Sequence, residues 1–116
     1  MIYHEGTYPL LWLNYSTNDY YNYGNLKPNI NEWTHIAFVF KNSTGYKHIF
    51  INGEDATNTS GPNKTTTPYG LPSTITLFSG FNGQVSDYRE YSTALSEDDI
   101  KELYNTSAII NNNNTL

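Results

Sequence analysis

The sequence of 116 residues predicts an antiparallel, all-β sandwich with one short helix near the C-terminus. Three observations predict it. Short runs rich in β-branched and aromatic residues recur at close spacing between turn residues, a single helix-start signature occurs late in the chain, and nothing follows the βαβ rhythm of parallel sheets. Composition agrees: only 37% of residues are hydrophobic, but 16% are aromatic, so the apolar mass comes as large amphipathic rings suited to strands and half-exposed surfaces.

The first strands are read at residues 8–15, with Leu10, Leu11, Trp12 and Leu13, and at residues 19–23, joined by a polar Ser16-Thr17-Asn18 turn. Proline and asparagine in residues 27–31 set them apart from the clearest strand, residues 33–40, which is apolar on both faces in its second half and reads as central and buried. Trp12 and Trp33 are assigned to the core. Asn42-Ser43-Thr44-Gly45 supplies turn chemistry, and residues 46–51 return as the second arm of an antiparallel hairpin. Asn52-Gly53 ends that arm with the strongest short signal for a two-residue type I′ turn, because both positions need positive φ.

Residues 58–72 carry three prolines, two glycines and no periodicity, so they read as a long loop of the kind that is functional or mobile. Residues 74–79 and 84–91 are strand candidates on either side of Gly80 and Gly83. The helix begins at Ser96: its hydroxyl can cap, Asp99 can reach back to complete a capping box, and Leu95 and Ile100 stand at the positions of a hydrophobic staple. Ile100, Leu103 and Tyr104 share one face, which predicts about two turns docked on a sheet. Residues 111–114 are four asparagines, read as a disordered tail or a link.

Six Lys and Arg against eleven Asp and Glu give a net charge of −5 with no basic run, which argues against nucleic acid as a partner. No apolar stretch reaches the length of a membrane span and the first residues do not form a leader, so neither membrane insertion nor a signal peptide is expected. Zero cysteine excludes disulfides and thiolate metal sites without fixing the compartment. Six Asn-x-Ser/Thr matches, at Asn14, Asn42, Asn58, Asn63, Asn105 and Asn113, are read as chance among sixteen asparagines.

Two segments carry a resemblance. Trp33-Thr34-His35-Ile36-Ala37, running through Ile49-Phe50-Ile51-Asn52-Gly53, is similar to a W-x-H-I/V-A strand whose successor ends in Asn-Gly. The run from Phe81 through Gly83, Val85, Asp87, Arg89, Tyr91, Ala94-Leu95-Ser96, Asp99-Ile100 and Leu103-Tyr104 is similar to a closing motif of the same family. That family is the laminin G-like branch of the concanavalin A-like lectins and glucanases. The resemblance implies a jelly-roll sandwich over residues 1–108, followed by an Asn-rich tail or linker over 109–116. Residues 100–108 further resemble copies of the module in tail and other virion proteins of bacteriophages. Ser86 stands where the family commonly has an acid and Glu90 where it usually has an apolar residue, so that strand is expected to be more exposed or to contact a partner. Family modules also carry strands ahead of the position of Ile2 and Tyr3. Either a minimal sandwich closes without them, or another chain covers an open edge in a homo- or hetero-oligomer.

Retaining glucanases of this fold use an E-x-D-x-E strand whose carboxylates stand about 5 Å apart, and no such triplet occurs here. Glu97, Asp98, Asp99 and Glu102 open a helix, where negative charge complements the dipole. His4, His35 and His48 lack metal-ligand spacing, since the hairpin places His48 opposite Val39 and not beside His35. No serine has the G-x-S-x-G context of an activated nucleophile. Some laminin G-like modules hold calcium at a loop rim; Asp55 and Asp87 are the contributors this chain offers, and turn or strand-edge hydrogen bonding accounts for Asp87 equally well. No cofactor and no catalysis are therefore expected. The candidate ligand-binding residues are Tyr20, Tyr21, Asn22, Tyr23 and Asn25, with Tyr69 on the long loop, because aromatic faces stack on sugar rings and amides bond hydroxyls. The same alternation also suits cross-strand packing on a half-wet sheet. The expected role is a lectin-like module for glycans or partner proteins on a virion or extracellular surface, with a purely structural virion component as the rival. A glycosidase remnant or accessory domain is a weaker third reading.

Overall fold

The computed structural model describes residues 1–4, 13–16, 19–21, 28–41, 43–44, 46–57, 77–78 and 80–114. Eight strands and one helix lie within them: β1 Ile2–His4, β2 Leu13–Ser16, β3 Asp19–Tyr21, β4 Trp33–Thr34, β5 Ile36–Lys41, β6 Tyr46–Ile51, β7 Glu54–Asp55, β8 Gly83–Val85 and α1 Glu97–Asn114. They pair antiparallel as β4-β1-β8, β2-β3 and β5-β6-β7. Strands with one C-terminal helix match the all-β class that the sequence predicts.

The β5–β6 hairpin follows the expected register, with Val39 opposite His48 and Ala37 opposite Phe50. Successive side chains alternate faces, so Ala37, Val39 and Phe50 share one face, and there α1 lays Ile100 with Leu95 beside it. Ile51 packs on Ala56 on the opposite face. Ile49, Phe50 and Ile51 are all buried, which makes β6 the central strand of its sheet; full burial of such side chains contributes about 1.5–3 kcal/mol each. This corrects the reading of residues 33–40 as the central strand: β5 borders β6 alone among the described residues, and Phe38 is 43% exposed. β3 lies against β6.

The run over residues 33–40 is also divided. β4 pairs with β1 while β5 pairs with β6, and the chain passes from one sheet to the other at His35. Asn52 holds that crossing, since its side-chain Oδ1 accepts the His35 N–H at 3.0 Å and its own N–H donates to the His35 carbonyl at 2.9 Å. Asn52 and Gly53 take φ of 50° and 78°, as the two-residue turn requires, and β7 returns along β6.

Two other expectations change. The strand read at residues 84–91 ends at Val85: Ser86 still bonds Met1, and Asp87 then turns the backbone to φ 57°. Of residues 74–79, the described Leu77 and Phe78 are not in a strand, and Phe78 takes φ 56°. The helix starts as expected: Ser96 Oγ accepts the Asp99 N–H at 3.1 Å and Asp99 Oδ2 accepts the Ser96 N–H at 3.0 Å. It runs 18 residues, longer than the two turns read from its first face, and carries the backbone into the asparagine run. The long loop over residues 58–72 and Trp12 lie outside the described residues, and Trp33 is half-buried.

Candidate functional site

Of the predicted ligand-binding residues, Tyr20 and Tyr21 occupy β3, where the backbone pairs them with Asn14 and Leu13 of β2. Asn22, Tyr23, Asn25 and Tyr69 lie outside the described residues. The described part of the molecule offers three other polar arrangements.

The first is the meeting of the Asn52-Gly53 turn with α1. A Cβ on Gly53 would lie 3.2 Å from the Tyr104 ring and 3.3 Å from Lys101 Cα, so the turn sits directly on the helix. The His35 ring stands 6.0 Å from that of Tyr104. Burial, aided by the nearby N-terminal ammonium, lowers the His35 pKa to about 4 against the opposing pull of Asp87, and its Nδ1 is buried with no hydrogen-bond partner among the described residues. A neutral imidazole packed on a ring is a structural group.

The second is on the β6–β7 hairpin. His48 Nδ1 stands 2.5 Å from Asp55 Oδ2, while Asp55 Oδ1 accepts the Thr57 hydroxyl at 2.6 Å and the Thr57 N–H at 2.9 Å. Partial burial pushes the Asp55 carboxyl up, but the bonds from Thr57 and His48 outweigh it and hold the group below its ordinary value. Thr57 Oγ1 also accepts the Ile49 N–H at 3.0 Å, so the cluster ties β7 to β6. Asp87 is likewise engaged, by two bonds from Arg89 at 2.9 and 3.0 Å. Asp55 and Asp87 thus each have partners of their own. Among the described residues, no group of three or more His, Asp or Glu converges in a way that could hold a metal ion.

The third arrangement faces solvent. After β8 the chain runs as an exposed strip in which Tyr88 is 52% and Tyr91 49% exposed. The Tyr88 hydroxyl donates to the Glu90 carboxylate, which raises the tyrosine's pKa. Between this strip and α1 lies an open groove of about 300 Å³, lined by Arg89, Tyr91, Leu95, Glu102, Leu103 and Thr106 among others. A half-exposed ring, apolar floor residues, a guanidinium, a carboxylate and a hydroxyl along one groove can stack on the apolar face of a ligand and bond its hydroxyls or amides. Sequence reasoning did not assemble this site, since it joins two elements across the fold. Its legible signs were Ser86 and Glu90, at positions where the family has an acid and an apolar residue; the structure leaves Glu90 exposed and Ser86 partly so.

Comparison with known proteins gives a family and one distant structure. The sequence model of a laminin G family, described as "Concanavalin A-like lectin/glucanases superfamily", matches residues 2–101. Comparison with curated proteins gives no match. Among solved structures, a crystal structure of an S-layer domain-containing protein (residues 221–444) from Clostridium thermocellum ATCC 27405 is similar at a TM-score of 0.48 and 19% identity. The alignment covers 84% of this chain and 63% of that one. Among the described residues, no helix is long and apolar enough to cross a membrane.

Proposed function

We propose, from the premise that this chain belongs to the concanavalin A-like lectin/glucanases superfamily, that it is a non-catalytic binding module for surface glycans or partner proteins. The observation that carries the reading is the groove beside the exposed strip, which Tyr91 and Arg89 line together with Glu102 and Thr106. Tyr20 and Tyr21, which lie on β3, are kept in this proposal as candidate ligand contacts on the ground of residue type. The absence of an E-x-D-x-E strand anywhere in the sequence supports binding without hydrolysis. A virion or extracellular surface is the proposed setting, supported by the resemblance of residues 100–108 to bacteriophage copies of the module.

A glycan array tests this directly. Saturable binding that is lost in Tyr91→Ala or Tyr21→Ala supports the lectin-like reading, and hydrolysis of any glycan by the isolated chain defeats it. A second reading, a structural virion component, is favoured by β8, an edge strand among the described residues with Val85 42% exposed. Silence on every glycan, together with stoichiometric co-elution with virion proteins on size exclusion, selects that reading.

A further inference from the structure

The chain contains two Asn-Gly dipeptides, Asn52-Gly53 and Asn82-Gly83, and the fold holds them in opposite ways. Asn-Gly is chemically labile because glycine has no Cβ to shield its amide nitrogen or restrict its backbone, so that nitrogen can reach the carbonyl carbon of the preceding side chain. We propose that Asn82 is a site of spontaneous deamidation in the folded protein and that Asn52 is protected. The Gly83 nitrogen, its proton taken by solvent base, attacks Asn82 Cγ. A new N–Cγ bond closes a five-membered imide, the Cγ–Nδ2 bond breaks, and the amide nitrogen leaves as ammonia. Water then opens the ring, at Cγ to give aspartate or at the backbone carbonyl to give isoaspartate. The net change is one water consumed and one ammonia released, with no oxidant or reductant.

The register shows where the attacking nitrogen points. Met1 and Ser86 exchange both backbone hydrogen bonds, at 2.6 and 2.9 Å. Bonded and non-bonded pairs alternate along an antiparallel ladder, so Tyr3↔Gln84 is the next bonded pair and Ile2↔Val85 and His4↔Gly83 are non-bonded. The Gly83 N–H therefore faces away from β1. Because β8 is the outer strand of its sheet, that side is open among the described residues. Asn82 is exposed, and its side chain makes no hydrogen bond to a described residue, so χ1 is free to bring Cγ to the nitrogen.

Asn52 meets neither condition. Its Oδ1 is held by the His35 N–H at 3.0 Å, and Gly53 is pressed on Tyr104 and Lys101. Ring closure there must detach the side chain from His35 and swing the Gly53 amide plane off α1, which requires local opening of the core contact. At Asn82, each conversion adds a carboxylate beside an exposed strand edge, a change that opposes edge-to-edge pairing.

The test is to incubate the full chain in mildly alkaline buffer, folded and in denaturant, and to follow both dipeptides by peptide mapping with isoaspartate methyltransferase labelling. In the folded sample Asn82 is expected to convert at least about tenfold faster than Asn52, a ratio equivalent to about 1.4 kcal/mol of local protection. In denaturant the two rates should converge, which shows that the fold and not the local sequence separates them. Asn82→Gln should remove the acidic species that accumulates on ion exchange. Equal rates in the folded protein, faster conversion at Asn52, or acidic species persisting in Asn82→Gln would each overturn the proposal.

Discussion

At the Asn52-Gly53 turn, polar groups are consumed inside the fold: the asparagine side chain completes the backbone of His35, and the glycine lets the turn approach α1 to within contact of Tyr104 and Lys101. Along residues 87–91 the same kinds of group hydrogen-bond their near neighbours, Asp87 with Arg89 and Tyr88 with Glu90, and stay largely exposed. The first region shows what holds the β6–β7 turn against α1. The second leaves its side chains exposed to solvent. Residues that mark the family occur in both regions: His35, Asn52, Gly53 and Tyr104 in the first, and Asp87, Arg89 and Tyr91 in the second.

The contrast breaks most easily at the core. Phe50 is 1% exposed between Val39 and Ile100, so Phe50→Ala should lower the unfolding free energy by about 3–5 kcal/mol in urea titration. A loss no larger than that of a surface substitution would mean that α1 does not rest on this face. Gly53 and Gly80 sharpen the point as a pair, since both have positive φ, of 78° and 69°, but a Cβ at Gly80 meets nothing within 4 Å. Both alanine variants bear the left-handed strain, about 1–2 kcal/mol. Gly53→Ala should cost more, and the excess measures the contact with α1; equal costs would deny that contact.

Acid should loosen the same region next. The folded pKa of His35 is depressed to about 4 from an ordinary value near 6.5, so the unfolded chain binds the proton first. The stability that goes with a neutral His35 is complete above about pH 6.5, declines as pH falls through the window to about 4, and changes no further below it. After allowance for solvent screening of a half-buried ring, the expected loss is about 1–2 kcal/mol. Urea midpoints across that window, compared with those of His35→Gln, isolate it: the variant should be less stable at neutral pH but flatter in its pH response. A slope unchanged in His35→Gln would assign the pH effect to another group.

Legibility in the sequence followed how local each interaction is. The hairpin register, the Asn52-Gly53 turn and the Ser96–Asp99 capping box were readable because each depends on a few adjacent residues with strong conformational preferences. The crossing at His35 was not, since it depends on a side chain 17 positions away supplying a backbone-like acceptor. The strand read after Gly83 is shorter than expected for a related reason: the backbone turns at Asp87, φ 57°, and no run of adjacent residues marks that turn. The groove was hidden because it joins residues of α1 to a strip with no regular structure, and only Ser86 and Glu90, at positions where the family has other residue types, hinted that this stretch is exposed.

Two smaller effects test the locked and open regions separately. Ser96→Ala removes the acceptor for the Asp99 N–H and should cost about 1 kcal/mol, read as a shift in the thermal midpoint. Tyr91→Ala should alter stability least. Its ring is 49% exposed and borders a groove open to solvent, so truncation creates no cavity and strands no buried polar group; a change within about 0.5 kcal/mol is expected. That near-neutrality is what gives the variant its value, because a binding loss in Tyr91→Ala with an unchanged melting curve places the effect at the groove surface and not in the fold. A large drop in stability would instead show Tyr91 to be a buttress for α1, and the distinction between a locked turn and an open strip would no longer hold.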